Sequence, residues 1–94
     1  MKNLLNILNS KFPELLAVDA SEFDSTYEIG DAIWFKGSEC GEAPDGLPLF
    51  SYYMEFGIHE DTDGVHPELD HILREYGFYP EPYDPATLMA GKSY

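Results

Sequence analysis

The sequence has one cysteine, Cys40, and that alone excludes an internal disulfide framework and favours a reducing, cytoplasmic setting. It has five basic residues, Lys2, Lys11, Lys36, Arg74 and Lys92, against 18 carboxylates, a formal charge of −13. A chain with that balance repels nucleic acid and anionic membranes, so direct nucleic-acid binding is not expected. It has no apolar run of membrane-spanning length. The opening stretch MKNLLNILNSKFPELL is interrupted by Asn6, Asn9 and Ser10 and reads as no signal peptide. Nucleophile elbows, phosphate-cradling glycine loops and zinc-protease signatures are missing too. Cys40 lies between Glu39 and Glu42, whose charge suits a thiolate nucleophile badly. No enzyme and no cofactor is expected.

What is present is a folded domain. Hydrophobic content of 44% with seven tyrosines and six phenylalanines argues against disorder despite the charge. At 94 residues one domain is expected, spanning 1–94, with a radius of gyration of about 12 Å. Asn3 can cap a helix carrying Leu4, Leu5, Ile7, Leu8 and Phe12, and Pro13 either ends it or starts a short turn through Leu15, Leu16 and Val18. Residues 26–36 read as a strand with Tyr27, Ile29, Ile33 and Phe35 on one side and a bend at Gly30. The segment LPLFSYYMEFGI (47–58) alternates more regularly: Phe50, Tyr52, Met54, Phe56 and Ile58 against Leu49, Ser51, Tyr53, Glu55 and Gly57 predict a half-buried strand. Pro67 opens a helix to about Tyr76, with Leu69, Ile72, Leu73 and Tyr76 as its stripe and Gly77 as its stop. The three prolines of FYPEPYDP confine the next strand to a sheet edge, and Thr87–Ala90 follows a turn. The fold class is α+β: a small antiparallel sheet of three or four strands, with an N-terminal helix and the helix near 67–76 on one face.

The stretch HEDTDGVHPELDH (59–71) sets three histidines among five carboxylates. A calcium loop counted from His59 has Asp61, Asp63, Gly64 and Asp70 in place, but His59 and Pro67 stand where ligands belong. For zinc, His66 and His71 fall about 140° apart round a helix. His66 shares a face with Asp70, so a site of His59, His66 and Asp70 needs the loop to fold back. The plain alternative is a turn and helix start with Asp61, Asp63 and Glu68 near the positive end of the helix dipole.

Charge distribution is more informative. Between Lys36 and Arg74 lie nine carboxylates and no basic residue. Soluble surfaces ordinarily mix signs, so this one reads either as a solubility or high-salt surface or as one that docks on a basic partner. The tyrosines favour docking, with Tyr53 beside Glu55, and Tyr79, Glu81 and Tyr83 sharing one side of the proline-rich edge. A sphere of roughly 30 Å matches a length of duplex carrying about 18 phosphates. Carboxylates on one strand side would stand roughly 6.6–6.8 Å apart in a row.

The ending HPELDHILREYGFYPEPYDPATLMA (66–90) resembles small phage and prophage proteins, and the acidity resembles anti-CRISPR and anti-restriction DNA mimics carried by mobile elements. That resemblance covers about a quarter of the chain and carries no functional residue with it. It implies a stoichiometric inhibitor seated in the DNA-binding cleft of an effector. The expected contact residues are Glu39, Glu42, Asp45, Glu60, Asp61 and Asp63, with Tyr53 and Tyr79 as aromatic anchors. The alternatives are an antidote to a basic toxin nuclease, or a metal-dependent module on His59, His66 and Asp70.

Overall fold

In a computed structural model of the chain, residues 2–92 are described. Their order is α1 (Lys2–Lys11), β1 (Ala17–Asp19), β2 (Ala32–Phe35), α2 (Pro67–Glu75), β3 (Phe78–Asp84) and β4 (Thr87–Lys92), with short 3₁₀ turns between. The four strands form one antiparallel sheet in the order β1-β2-β4-β3. This is the expected α+β class. The radius of gyration is 12.1 Å, close to the expectation, and the long axis is 36 Å.

Strand register explains the two faces. Ala17, Phe35 and Leu88 pair across the sheet, as do Ile33 and Ala90, and all point to the face covered by both helices. Leu4 and Leu8 of α1, then Phe12, and Leu69, Ile72 and Leu73 of α2 complete that core. The other face carries Ala32, Trp34 and Met89 under Phe23 and Tyr27, a second and smaller apolar cluster.

Both sheet edges are blunted. On β3, Pro80 and Pro82 pair opposite Ala90 and Leu88, and a proline fits there only where the missing N–H faces away from the neighbour. The outer edge of β3 therefore lacks donors at alternate positions. On β1, Asn9 of α1 occupies the edge: its Nδ2 donates to the Ala17 carbonyl at 2.9 Å and its Oδ1 accepts the Ala17 N–H at 2.7 Å. Strand addition, one way a bare sheet edge recruits a peptide, meets two edges that are partly blocked.

Several expectations need correction. Residues 47–58 are not a strand. Only Leu49 and Phe50 of that run are buried, Phe50 in an isolated bridge to Val65, while Met54 and Phe56 adopt left-handed φ of 50° and 57° that no strand tolerates. The edge strand beside β2 is β1, a three-residue strand where only a turn was expected. The strand over 26–36 shrinks to Ala32–Phe35: Ile29 is 87% exposed, and Tyr27 packs on the face opposite Ile33 and Phe35. Asn3 lies inside α1 and does not cap it. Tyr76 caps the C-terminus of α2 and is exposed, leaving Leu69, Ile72 and Leu73 as the buried stripe.

Candidate interface on an acidic surface

Between β2 and α2 the chain runs for about thirty residues without a strand, pinned at a few points. Ser38 Oγ, fully buried, accepts the Leu88 N–H at 3.0 Å and donates to the Ala86 carbonyl, tying the start of this excursion to the β3–β4 hairpin. Ser51 and Gly64 join at 2.7 Å, and His66 N–H reaches the Leu49 carbonyl at 3.0 Å. Gly64 has φ +89°, and a Cβ there would lie 2.2 Å from the Ser51 carbonyl oxygen, so the two arms close only on glycine.

His66 holds the base of the loop. It is 4% exposed and serves as the N-cap of α2: Nδ1 accepts the Glu68 N–H at 3.2 Å, which leaves Nε2 carrying the proton it donates to Asp45 Oδ2 at 2.9 Å. His59 stacks edge-on against it at 5.2 Å and donates from Nε2 to the Pro48 carbonyl at 2.8 Å. Asp45 also accepts the Leu47 N–H, and that bond, with His66, holds its carboxyl below the usual carboxylate range. His66 is thus a buried part of the loop base. Its ring nitrogens are both engaged. Asp70 pairs with Arg74 at 3.0 Å rather than with either histidine, and among the described residues no three His, Cys, Asp or Glu side chains are gathered to hold a metal ion.

From Tyr52 to Asp63 the loop stands out from the core. Tyr53 is 71% exposed and Phe56 100%, with Glu55, Glu60, Asp61 and Asp63 exposed around them. Met54, Phe56, His59 and Asp63 all have positive φ, between 50° and 57°. For apolar side chains such as Met54 and Phe56 this conformation costs about 1–2 kcal/mol each, and less for Asp63, and backbone strain is concentrated at functional sites.

The expected contact residues divide into four places. Tyr53, Glu60, Asp61 and Asp63 share the projecting loop. Glu39 and Glu42 lie on the turn after β2, where the Glu42 N–H donates to Glu14 Oε1 at 3.1 Å. Asp45 is committed to His66. Tyr79 lies on β3, with its ring and the Glu81 carboxylate both over Gly91. The predicted row of strand-spaced carboxylates does not form, because these acids sit on turns. Phe56 and Tyr52, which the alternating reading assigned to a buried strand side, are exposed.

Every carboxylate except Asp19, Asp31 and Asp70 is exposed. Among the described residues only Asp45, Glu68, Asp70 and Glu75 meet a basic side chain, His66, Lys11, Arg74 and His71 respectively. No helix is long and apolar enough to cross a membrane among these residues. Comparison with protein families, curated proteins and solved structures finds no match.

Proposed function

We propose that this protein is a non-enzymatic binding protein, acting in the cytoplasm, that occupies the basic, nucleic-acid-binding surface of a partner protein and so excludes DNA from it. The observation that carries this reading is the Tyr52–Asp63 loop, where a fully exposed Phe56 stands among four exposed carboxylates on a strained backbone. Aromatic side chains supply rigid contact area, and carboxylates supply acceptors for arginine and lysine in charge-assisted bonds. The blunted sheet edges support recognition by side chains over recognition by strand pairing.

The charge density supports mimicry of a phosphate array. Thirteen net negative charges along a 36 Å axis average about one per 2.8 Å, against one per 1.7 Å in duplex DNA. The density is of the right order without a regular row, and the acids stand in patches on turns.

The test is capture of partners from a host lysate on the tagged chain, washed at rising salt and challenged with duplex DNA. The expected result is a nucleic-acid-binding protein released by salt and displaced by DNA, with Asp61→Lys/Asp63→Lys losing it while staying folded. Recovery of one small basic nuclease would assign the chain as its antidote. Capture that survives both high salt and the charge reversal would refute the proposal.

A further inference from the structure

The sheet face turned away from the helices carries a cleft of about 210 Å³ between the Tyr27 and Tyr83 side chains, floored by Ala32 and Met89 and flanked by Glu81. That is room for roughly seven waters at about 30 Å³ each. Its walls are organised. Phe23 stacks edge-on against both Trp34, at 5.0 Å, and Tyr83, at 5.1 Å, while the Tyr27 hydroxyl donates to Met89 Sδ at 3.8 Å. Glu81 lies opposite Met89 in the β3–β4 register, so its side chain rises on this face, and its carboxylate passes over Gly91. Glu81 has no ion pair with any described basic residue. The same face already holds one cation on an aromatic ring, Lys36 Nζ at 5.7 Å from the Trp34 centroid.

We infer that this cleft receives an arginine side chain of the basic partner, the guanidinium lying against Tyr83 and Tyr27 and bonding to the Glu81 carboxylate. This rests on the proposed function for the source of the arginine, and adds a second contact on a different face from the loop. Guanidinium suits the cleft better than ammonium. It is planar, less strongly hydrated, stacks on tyrosine and meets a carboxylate with two parallel N–H bonds, whereas a lysine ammonium must shed a tighter water shell to enter between two rings. The carboxylate gives the cleft its charge selectivity, and the aromatic walls give it shape. An apolar side chain would leave Glu81 without a partner at the rim of an occupied site.

The test uses the isolated full chain, so its result is independent of whether a DNA-binding partner is ever captured. Amide resonances are followed by NMR during titration with N-acetyl-arginine methylamide, with its lysine analogue, and with the citrulline analogue, which keeps the planar shape and lacks the charge. The expected result is saturable movement of Ala32, Met89 and Gly91 with arginine, at least about tenfold weaker with citrulline and weaker with lysine. Glu81→Gln, an exposed substitution, should lower arginine affinity about tenfold and leave the remaining spectrum unchanged. Equal response to arginine and citrulline, response confined to the Tyr52–Asp63 loop, or undiminished binding in Glu81→Gln would each overturn the assignment. A positive titration alongside failed partner capture would leave the arginine site standing and remove the DNA-exclusion reading.

Discussion

Replacing His66 with alanine should lower stability by about 2–3 kcal/mol. Its imidazole does three things from a position 4% exposed: it caps α2 through the Glu68 N–H, bonds Asp45 across the loop, and packs against Phe12 at 5.8 Å and His59 at 5.2 Å. Loss of an N-cap alone costs roughly 0.5–2 kcal/mol. Truncating a buried ring and leaving the first turn of a nine-residue helix open adds enough to reach the upper range of ordinary single substitutions. For a domain of this size each kcal/mol moves Tm by about 4–8 °C, so the expected fall is roughly 10–20 °C. His66→Asn should recover part of it, because its carbonyl oxygen can accept the same Glu68 N–H. His59→Ala, at a half-buried position with one carbonyl bond, should cost less than His66→Ala. Thermal and urea unfolding of the variants decides the matter. A His66→Ala protein melting within 3 °C or so of the wild type, or an Asn variant no better than alanine, would refute the capping role.

Three of the remaining predictions concern stability and one concerns metal. The Asp45 carboxyl is held low by the Leu47 N–H and by His66; its contribution is therefore present above the unfolded value near 3.9 and lost as pH falls through the lower folded one. The difference in Tm between wild type and Asp45→Asn should accordingly shrink as pH falls below about 4. Gly64→Ala should destabilise by at least about 2 kcal/mol, since it adds left-handed strain to a clash with the Ser51 carbonyl oxygen 2.2 Å away; a neutral result in a urea melt would mean the loop arms are not closed as described. Phe56→Gly should be neutral or stabilising by up to about 1 kcal/mol, relieving φ +57° at a residue with no buried surface, yet weaken partner capture. Zinc or calcium should leave the melting temperature unchanged, because His66 spends both ring nitrogens and Asp70 is paired with Arg74; a rise of several degrees would restore the metal-dependent reading of His59, His66 and Asp70.

The elements legible in the sequence were those marked by residues that constrain the backbone. α2 had proline at its start, glycine after its end and a helical stripe, and it appears at Pro67–Glu75. β3 had its prolines, and it lies at the edge. Residues 47–58 had alternation alone, and alternation is a statement about side-chain polarity, not about φ. Phe56 and Met54 are apolar at even spacing yet sit in left-handed turns, while the strand that does pair with β2, β1, has three residues and is too short to show a period. The same limit applies to the candidate interface. The acids could be counted, but their grouping depended on which loops fold together. Asp45 was indistinguishable in sequence from Asp61, though one is bound to a buried histidine and the other stands free on a 3₁₀ turn.

A surface made acidic for solubility and a surface made for docking predict the same carboxylates but different neighbours. Solubility is served by charge with as little exposed aromatic surface as the fold permits. Here the loop richest in exposed acids also exposes Tyr52, Tyr53 and Phe56, and the outer sheet face sets Tyr83 and Glu81 round an open cleft. Exposed rings work against solubility, so a single demand for it does not account for both sets of residues. High-salt adaptation meets the same objection, since it calls for carboxylates without rings. The proposed contact with a cationic surface would account for both: it would relieve the mutual repulsion of the acids and cover the rings at once. The strain at Met54, Phe56, His59 and Asp63 follows the same logic, because relaxing those backbones would change where Phe56 and its neighbouring carboxylates are presented.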